Sequence, residues 1–139
     1  MINKVVLSDL ERFNELGSLV NSKFANLFNL ESLLASKYDY VYGYYDNDKL
    51  VGFIHINKLY ENMDIVNIVV DEDYRKRGIG TRLMNHVLNL FIDIDCALLE
   101  VNEKNEAAIA LYKSCDFEVI NVRKNYYGKD NALIMKRVI

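Results

Sequence analysis

Partway along the chain the spacing of apolar residues changes, and the change falls at a glycine-rich junction. Upstream, Tyr38–Tyr45, Lys49–Tyr60 and Met63–Val70 are rich in Tyr, Ile and Val and are separated by the turn signals Asp46-Asn47-Asp48 and Glu61-Asn62. They read as three strands of an antiparallel meander. Downstream, Ile79, Leu83, Val87, Leu88 and Phe91 share one face of a helix from about Gly78 to Phe91. Ala97–Val101 then reads as a strand again. Strand, helix and strand in succession imply a parallel pair, and the short turns before it imply antiparallel neighbours. The sheet must be mixed, which excludes all-helical and purely antiparallel folds.

The flanks extend this pattern. Lys4–Leu7 reads as a first strand. Ser8 or Asp9 can cap a helix marked by Leu10, Phe13, Leu16, Val20 and Phe24, and Leu27–Ser36 reads as a second helix with Asn26 or Asn29 as its cap. Asn105 can cap a helix whose apolar face is Ala108, Ile109 and Tyr112; Asp116 ends it. Phe117–Tyr126 and Ala132–Val138 read as a closing pair of strands. The order is βααβββαβαββ: an α/β (α+β) fold with a mixed central sheet of about seven strands and about four helices. There is no Pro, linker or internal repeat in the 139 residues. At roughly 150 residues per domain, 1–139 is expected to be a single domain.

Charge and cysteine content narrow the function. The balance of 17 basic and 20 acidic residues gives a net charge of −3, which argues against a globally basic nucleic-acid binder. Asp93 and Asp95 interrupt the most apolar stretch, so no membrane span is expected. The first residues do not read as a signal peptide, and a cytoplasmic protein, monomer or weak dimer, is expected. Cys96 and Cys115 form neither a disulfide framework nor a metal set, and His55 and His86 stand alone, so no metal is expected. His55, inside a strand, reads as packed. Residues 31–73 are acidic and 121–139 basic. The acidic segment is either an ordinary solvated surface or an attraction for a cationic ligand such as an amine or basic peptide.

The junction itself carries chemistry. After Asp71-Glu72-Asp73-Tyr74 come Arg75, Lys76 and Arg77, then Gly78-Ile79-Gly80 opens the helix, followed by Thr81. Glycines permit positive φ and close approach of a ligand to the backbone. A helix's first turn offers unpaired N–H donors and partial positive charge, which suits a pyrophosphate. The segment lacks the third glycine of a dinucleotide fingerprint and the Lys-Ser/Thr of a P-loop. On these residues alone, a plain glycine-rich helix start with exposed bases is the alternative.

Arg75-Lys76-Arg77-Gly78-Ile79-Gly80 resembles the Arg/Gln-x-x-Gly-x-Gly/Ala acetyl-CoA signature of GCN5-related N-acetyltransferases. Asn67-Ile68-Val69-Val70-Asp71 is similar to the strand that precedes it there. Leu99-Glu100-Val101, Asn105, Ala108-Ile109, Leu111-Tyr112 and Phe117 resemble that family's second cofactor motif. Arg123-Lys124-Asn125-Tyr126-Tyr127 and the strand after it are similar to the ribosomal-protein-alanine N-acetyltransferase branch. Residues 20–35 lack that branch's Pro-Trp, Asn102 replaces its Arg, and Asp116 stands where Gly usually closes the helix.

The resemblance implies acetyl-CoA as cofactor, bound by Arg75, Lys76, Arg77, Gly78, Ile79, Gly80, Thr81 and Asn105, and by the backbone of Ile68, Val69 and Val70. It implies Glu100 as proton acceptor and Tyr112 as proton donor to the leaving thiolate. The residues allow both roles. Glu100 stands in an otherwise apolar strand, on the face of Cys96 and Leu98, and otherwise pairs with a base such as Lys113. Tyr112 otherwise is a core aromatic. Tyr126 and Tyr127 could hydrogen-bond an incoming peptide, or simply pack. The expected substrate is a protein N-terminus, a ribosomal protein in that branch. An α-amine, with pKa about 8 against about 10.4 for Lys, needs only a weak base. Acetylation of lysine side chains or polyamines is the alternative. A non-catalytic acyl-CoA-binding module is the alternative of another class.

Overall fold

The computed structural model describes residues 1–139. Its strands are β1 (Ile2–Lys4), β2 (Asp39–Asp46), β3 (Lys49–Leu59), β4 (Asn62–Val70), β5 (Cys96–Asn102), β6 (Glu118–Tyr127) and β7 (Asp130–Val138). They form one sheet in the order β1-β2-β3-β4-β5-β7-β6. Only β4 and β5 run parallel. The helices are α1 (Leu10–Ser18), α2 (Phe24–Leu27), α3 (Leu30–Ala35), α4 (Ile79–Leu90) and α5 (Glu106–Ser114). This is the expected mixed α/β order, with α2 as one additional helical turn. No helix is long and apolar enough to cross a membrane.

Local chemistry explains the boundaries. Asn47 and Asp48 both take positive φ (48° and 67°), the conformation a two-residue hairpin between β2 and β3 demands. Asn29 caps α3 by accepting from the Ser32 N–H at 2.9 Å, and Asn105 caps α5 by accepting from Ala108 N–H at 3.2 Å. Asp116, at φ 67°, closes α5 in the left-handed region where a glycine would be usual.

Two expectations shift. The first strand ends at Lys4, and Leu7–Asp9 forms a 3-10 turn, because Asp9 Oδ2 accepts from the Val6 N–H at 3.1 Å and draws the chain out of the sheet. The first helix ends at Ser18 rather than reaching Phe24. The chain then folds back so that the Phe24 ring lies on Gly17, where a Cβ would meet it at 2.1 Å. Val20 is left exposed while Phe24 is buried beside Phe13 and Phe53.

The sheet has a core on each face. On one, α4 and α5 cover Ile54, Met63, Leu99 and Met135 with Leu83, Met84, Val87 and Tyr112. On the other, α1–α3 cover Val41, Phe53 and Val69 with Phe13, Leu16, Phe24 and Leu30. No residue of β5, β6 or β7 joins this second core, so that face of β5 is left without a helix.

Candidate active site

The parallel ladder between β4 and β5 stops early. Its last pair is Ile65 with Leu99, although β4 continues to Val70 and β5 to Asn102. At the same level β4 carries a bulge. His55 of β3 faces Asn67 and Ile56 faces Ile65, leaving Val66 without a partner. A bulge bends its strand and strengthens its twist, so β4 departs from β5 at this point.

The parting frees backbone groups. Asp71 N–H donates to the Val51 carbonyl at 2.8 Å. Antiparallel alternation then turns the backbone of Val69 and Asn67 toward β3, and that of Ile68 and Val70 toward the unpaired side. Arg75 Nε reaches the Val70 carbonyl at 3.4 Å from that side. Of the three residues expected along this strand, Ile68 and Val70 thus face the opening. Val69 does not; its side chain is buried under α1.

At the upper end of the opening lies the mouth of α4. The backbone N–H groups from Lys76 through Thr81 donate no hydrogen bond within the chain, and α4 has no side-chain cap. Lys76 and Gly78 both take positive φ (63° and 77°), which curls these N–H groups into a concave run. A Cβ on Gly78 would meet nothing within 4 Å, so the space before it is open. Gly80 has a different reason: a Cβ there would press on Leu111 Cδ2 of α5 at 3.2 Å. The Arg77 guanidinium stacks over Tyr74 at 4.9 Å, and Tyr74 donates to Asp46 Oδ2 at 2.9 Å, which ties the loop to β2. Free donors, open space and three bases fit a diphosphate.

On the α4–α5 face, Tyr112 is 7% exposed. Its hydroxyl makes no hydrogen bond within the chain, yet no buried polar atom lacks a partner, so the hydroxyl is the part that reaches solvent. Burial, with a smaller contribution from Tyr127, pushes the phenol up to about 12. It stays protonated throughout the neutral range.

On the opposite face, Glu100 is the next residue of β5 beyond the last ladder pair. Its Oε1 pairs with Arg123 Nη1 of β6 at 3.1 Å rather than with Lys113. Arg123 also lies over the Tyr126 ring at 5.4 Å, and Tyr126 packs edge-on against Tyr127 at 5.0 Å. Burial raises the Tyr127 phenol, and the nearby Glu100 carboxylate adds to that rise. Tyr127 thus lies within electrostatic reach of both Glu100 and Tyr112. Glu100 lies at the parting of β4 and β5, on the sheet face opposite the core that holds Tyr112.

One cluster on the Glu100 face is not evident from the motifs. His55 is 2% exposed, its ring flanked edge-on by Phe28. Its Nε2 lies 2.8 Å from Asp39 Oδ1 and its Nδ1 3.2 Å from Asn67 Nδ2. Asn57 Nδ2 also donates to Asp39 Oδ1, at 3.2 Å. Burial pushes the His55 imidazole down, against the pull of Asp39. Burial would raise Asp39, but hydrogen bonds from His55, Ser36 and Asn57 outweigh it and hold the carboxyl low. The only hint in the sequence is a polar residue in each of two apolar strands. His55 is packed, as expected, but it is also fully hydrogen-bonded.

The arrangement can hold a diphosphate at one end of the seam. It presents backbone donors along the seam, a neutral phenol on one side and a carboxylate on the other. The cysteines are both buried, and burial raises the Cys115 thiol.

Known proteins share the sequence pattern and the fold. The Acetyltransferase (GNAT) family matches residues 9–117. The [Ribosomal protein bS18]-alanine N-acetyltransferase of Escherichia coli K12 is 36% identical over 95 residues, a match that spans 64% of this chain and 64% of that protein's length. The N-alpha-acetyltransferase RimI of Mycobacterium tuberculosis is 36% identical over 109 residues, covering 76% of this chain and 67% of its own. Among solved structures, the Escherichia coli ribosomal-protein-S18-alanine N-acetyltransferase superposes with a TM-score of 0.87 at 24% identity, over 100% of this chain and 93% of that one. An N-acetyltransferase from Thermoplasma acidophilum, solved in complex with coenzyme A, superposes at 0.85 and 18%, over 100% and 98%. A glycine-opened helix mouth, a strand that leaves its parallel neighbour and a family match over most of the sequence agree: the chain belongs to the GNAT acetyltransferase family.

Proposed function

We propose that the protein is an acetyl-CoA-dependent N-acetyltransferase acting on the N-terminal α-amine of a protein, by direct attack within a ternary complex. One observation carries the reading: Glu100 follows the last β4–β5 ladder pair directly, on the sheet face opposite the core that buries Tyr112. An acceptor arriving on the bare face of β5 and a thioester lying in the seam would meet there. The similar bS18-alanine N-acetyltransferase and N-alpha-acetyltransferase support the α-amine and suggest a ribosomal protein among the candidate substrates. A cytoplasmic location goes with this reading.

Coenzyme A would be held by the N–H groups from Lys76 to Thr81, with Arg75, Lys76 and Arg77 as countercharge and the Ile68 and Val70 backbone along the pantetheine arm. Asn105 uses its Oδ1 as the α5 cap, which leaves its Nδ2 for a cofactor contact. Acetyl-CoA supplies the acetyl group as a thioester, so the amine nitrogen bonds to the carbonyl carbon while the C–S bond breaks and its electron pair leaves with sulfur. Glu100 takes the proton the nitrogen loses, through Oε2, since Oε1 is held by Arg123. A backbone N–H at the parting donates to the carbonyl oxygen as charge develops there.

Tyr112 donates a hydrogen bond toward the sulfur. Burial pushes its phenol up to about 12, so it stays protonated through the neutral range and can donate to the thiolate as it departs, solvent restoring the proton to the phenol. Tyr126 and Tyr127 line the acceptor's approach.

The test is thiol release from acetyl-CoA with a peptide carrying a free N-terminus, compared with the same peptide blocked there but bearing lysine, and with spermidine. Preference for the free α-amine supports the proposal. Preference for lysine or spermidine overturns it in favour of a cationic side-chain or polyamine substrate, for which the acidic Asp39 and Asp64 region would be the attraction. Acetyl-CoA binding without thiol release for any amine would mark a non-catalytic module.

A further inference from the structure

The hydrogen bonds around His55 fix which way Asn67 points. Asp39 is held in its ionised form and can only accept. The ring nitrogen facing it, Nε2, must carry the proton. Nδ1 of the neutral ring is then an acceptor, and the Asn67 atom 3.2 Å from it must be the amide nitrogen. This leaves Asn67 Oδ1 pointing away from the cluster with no hydrogen bond in the chain.

Asn67 is placed for use. It follows the extruded Val66 directly, on the part of β4 that has already left β5. Its side chain shares a face with Val69 and His55, the face that carries Phe28 and the α1–α3 core. Glu100 is the first residue of β5 beyond the same parting, on the same face. The two side chains flank the opening, one from each strand. Asn67 is half-buried, so it is open to a ligand.

We propose that Asn67 Oδ1 is a second hydrogen-bond acceptor for the incoming amine, opposite Glu100, and that His55 and Asp39 are positioning residues that hold it in that orientation. An amine presents several N–H donors. Glu100 deals with one, and an oriented carbonyl oxygen on the other side of the seam fixes the nitrogen against rotation without adding a charge. A freely rotating amide would present its NH2 group half the time and repel the acceptor's own donors. The cluster thus joins β2, β3 and β4 into one support behind a single oxygen atom. The inference rests on the acetyltransferase reading and adds the residue that receives the acceptor.

The experiment is steady-state kinetics with the amine acceptor the wild-type enzyme uses best, together with calorimetry for acetyl-CoA. Asn67→Ala is expected to raise the acceptor KM about ten-fold while the acetyl-CoA dissociation constant stays within two-fold. Asn67→Val, which suits a strand, should do the same and stands in if the alanine variant is unstable. His55→Phe alone should raise the acceptor KM by a few-fold; added to Asn67→Ala it should raise it no further. An unmoved acceptor KM in the Asn67 variants, with wild-type turnover intact, overturns this inference alone. So does an additive effect of His55→Phe, which would mark a merely structural cluster. A wild-type enzyme that acetylates no amine overturns the functional proposal along with it.

Discussion

The two ends of the seam are built from different materials. The mouth of α4 is made almost entirely of backbone: N–H groups from Lys76 to Thr81, shaped by positive φ at two residues and open at Gly78. The acceptor side is made of side chains from five strands: Asp39, His55 and Asn67 joined by hydrogen bonds, Glu100 and Arg123 joined by an ion pair, and Tyr127. Backbone recognition tolerates sequence change as long as the glycines remain. Side-chain recognition changes with each residue. One end of the molecule is therefore suited to a constant ligand and the other to a variable one.

Substitutions should separate the two ends. The largest effect is expected at Glu100: Glu100→Gln should lower kcat about 1,000-fold, as loss of a general base does, with acetyl-CoA affinity by calorimetry unchanged. Gly78→Val should do the reverse. A β-branched residue at φ 77° is strained and must distort the run of donors, so acetyl-CoA affinity should fall about 100-fold while any residual kcat at saturation is largely retained. Tyr112→Phe removes a hydrogen bond to a developing charge and should lower kcat roughly 30-fold, read by thiol release.

Smaller effects sharpen the contrast. Gly17→Val drives a side chain into the Phe24 ring and should destabilise the α1–α2 side by about 1–3 kcal/mol in denaturant melts, lowering acceptor use before cofactor binding. His55 should contribute a mild pH dependence of stability. Its native pKa lies below the unfolded value of about 6.5, so the unfolded chain takes the proton first. The stability it contributes is whole above pH 6.5 and is lost as pH falls toward the native pKa. Thermal melts between pH 7.5 and 5 should show this slope, and His55→Phe should flatten it.

The same contrast explains what could be read from the sequence. The order of the elements along the chain, the α4 mouth, the Asn105 cap and the Asp116 stop each depend on residues within a few positions of one another. Local chemistry specified them. The acceptor side depends on register. Asn67 meets His55 only because β3 and β4 pair with a bulge at Val66, and Glu100 meets Arg123 only because β7 lies between their strands. Nothing near Glu100 in the sequence names Arg123 as its partner rather than Lys113. The sequence also overextended the first helix, because Phe24 keeps the helical spacing but reaches the core through a reversal that Gly17 permits. Val69 was grouped with its neighbours by motif, whereas strand alternation turns its backbone the other way.

The central claim is that the break between β4 and β5 is where the two reactants meet. A crystal structure with coenzyme A bound tests it most directly. The account predicts the diphosphate on the N–H groups of Lys76 to Thr81 and the sulfur at the level of Val66, within hydrogen-bonding reach of the Tyr112 hydroxyl and open toward Glu100. A sulfur lying elsewhere, or a diphosphate that leaves those donors unused, would contradict it.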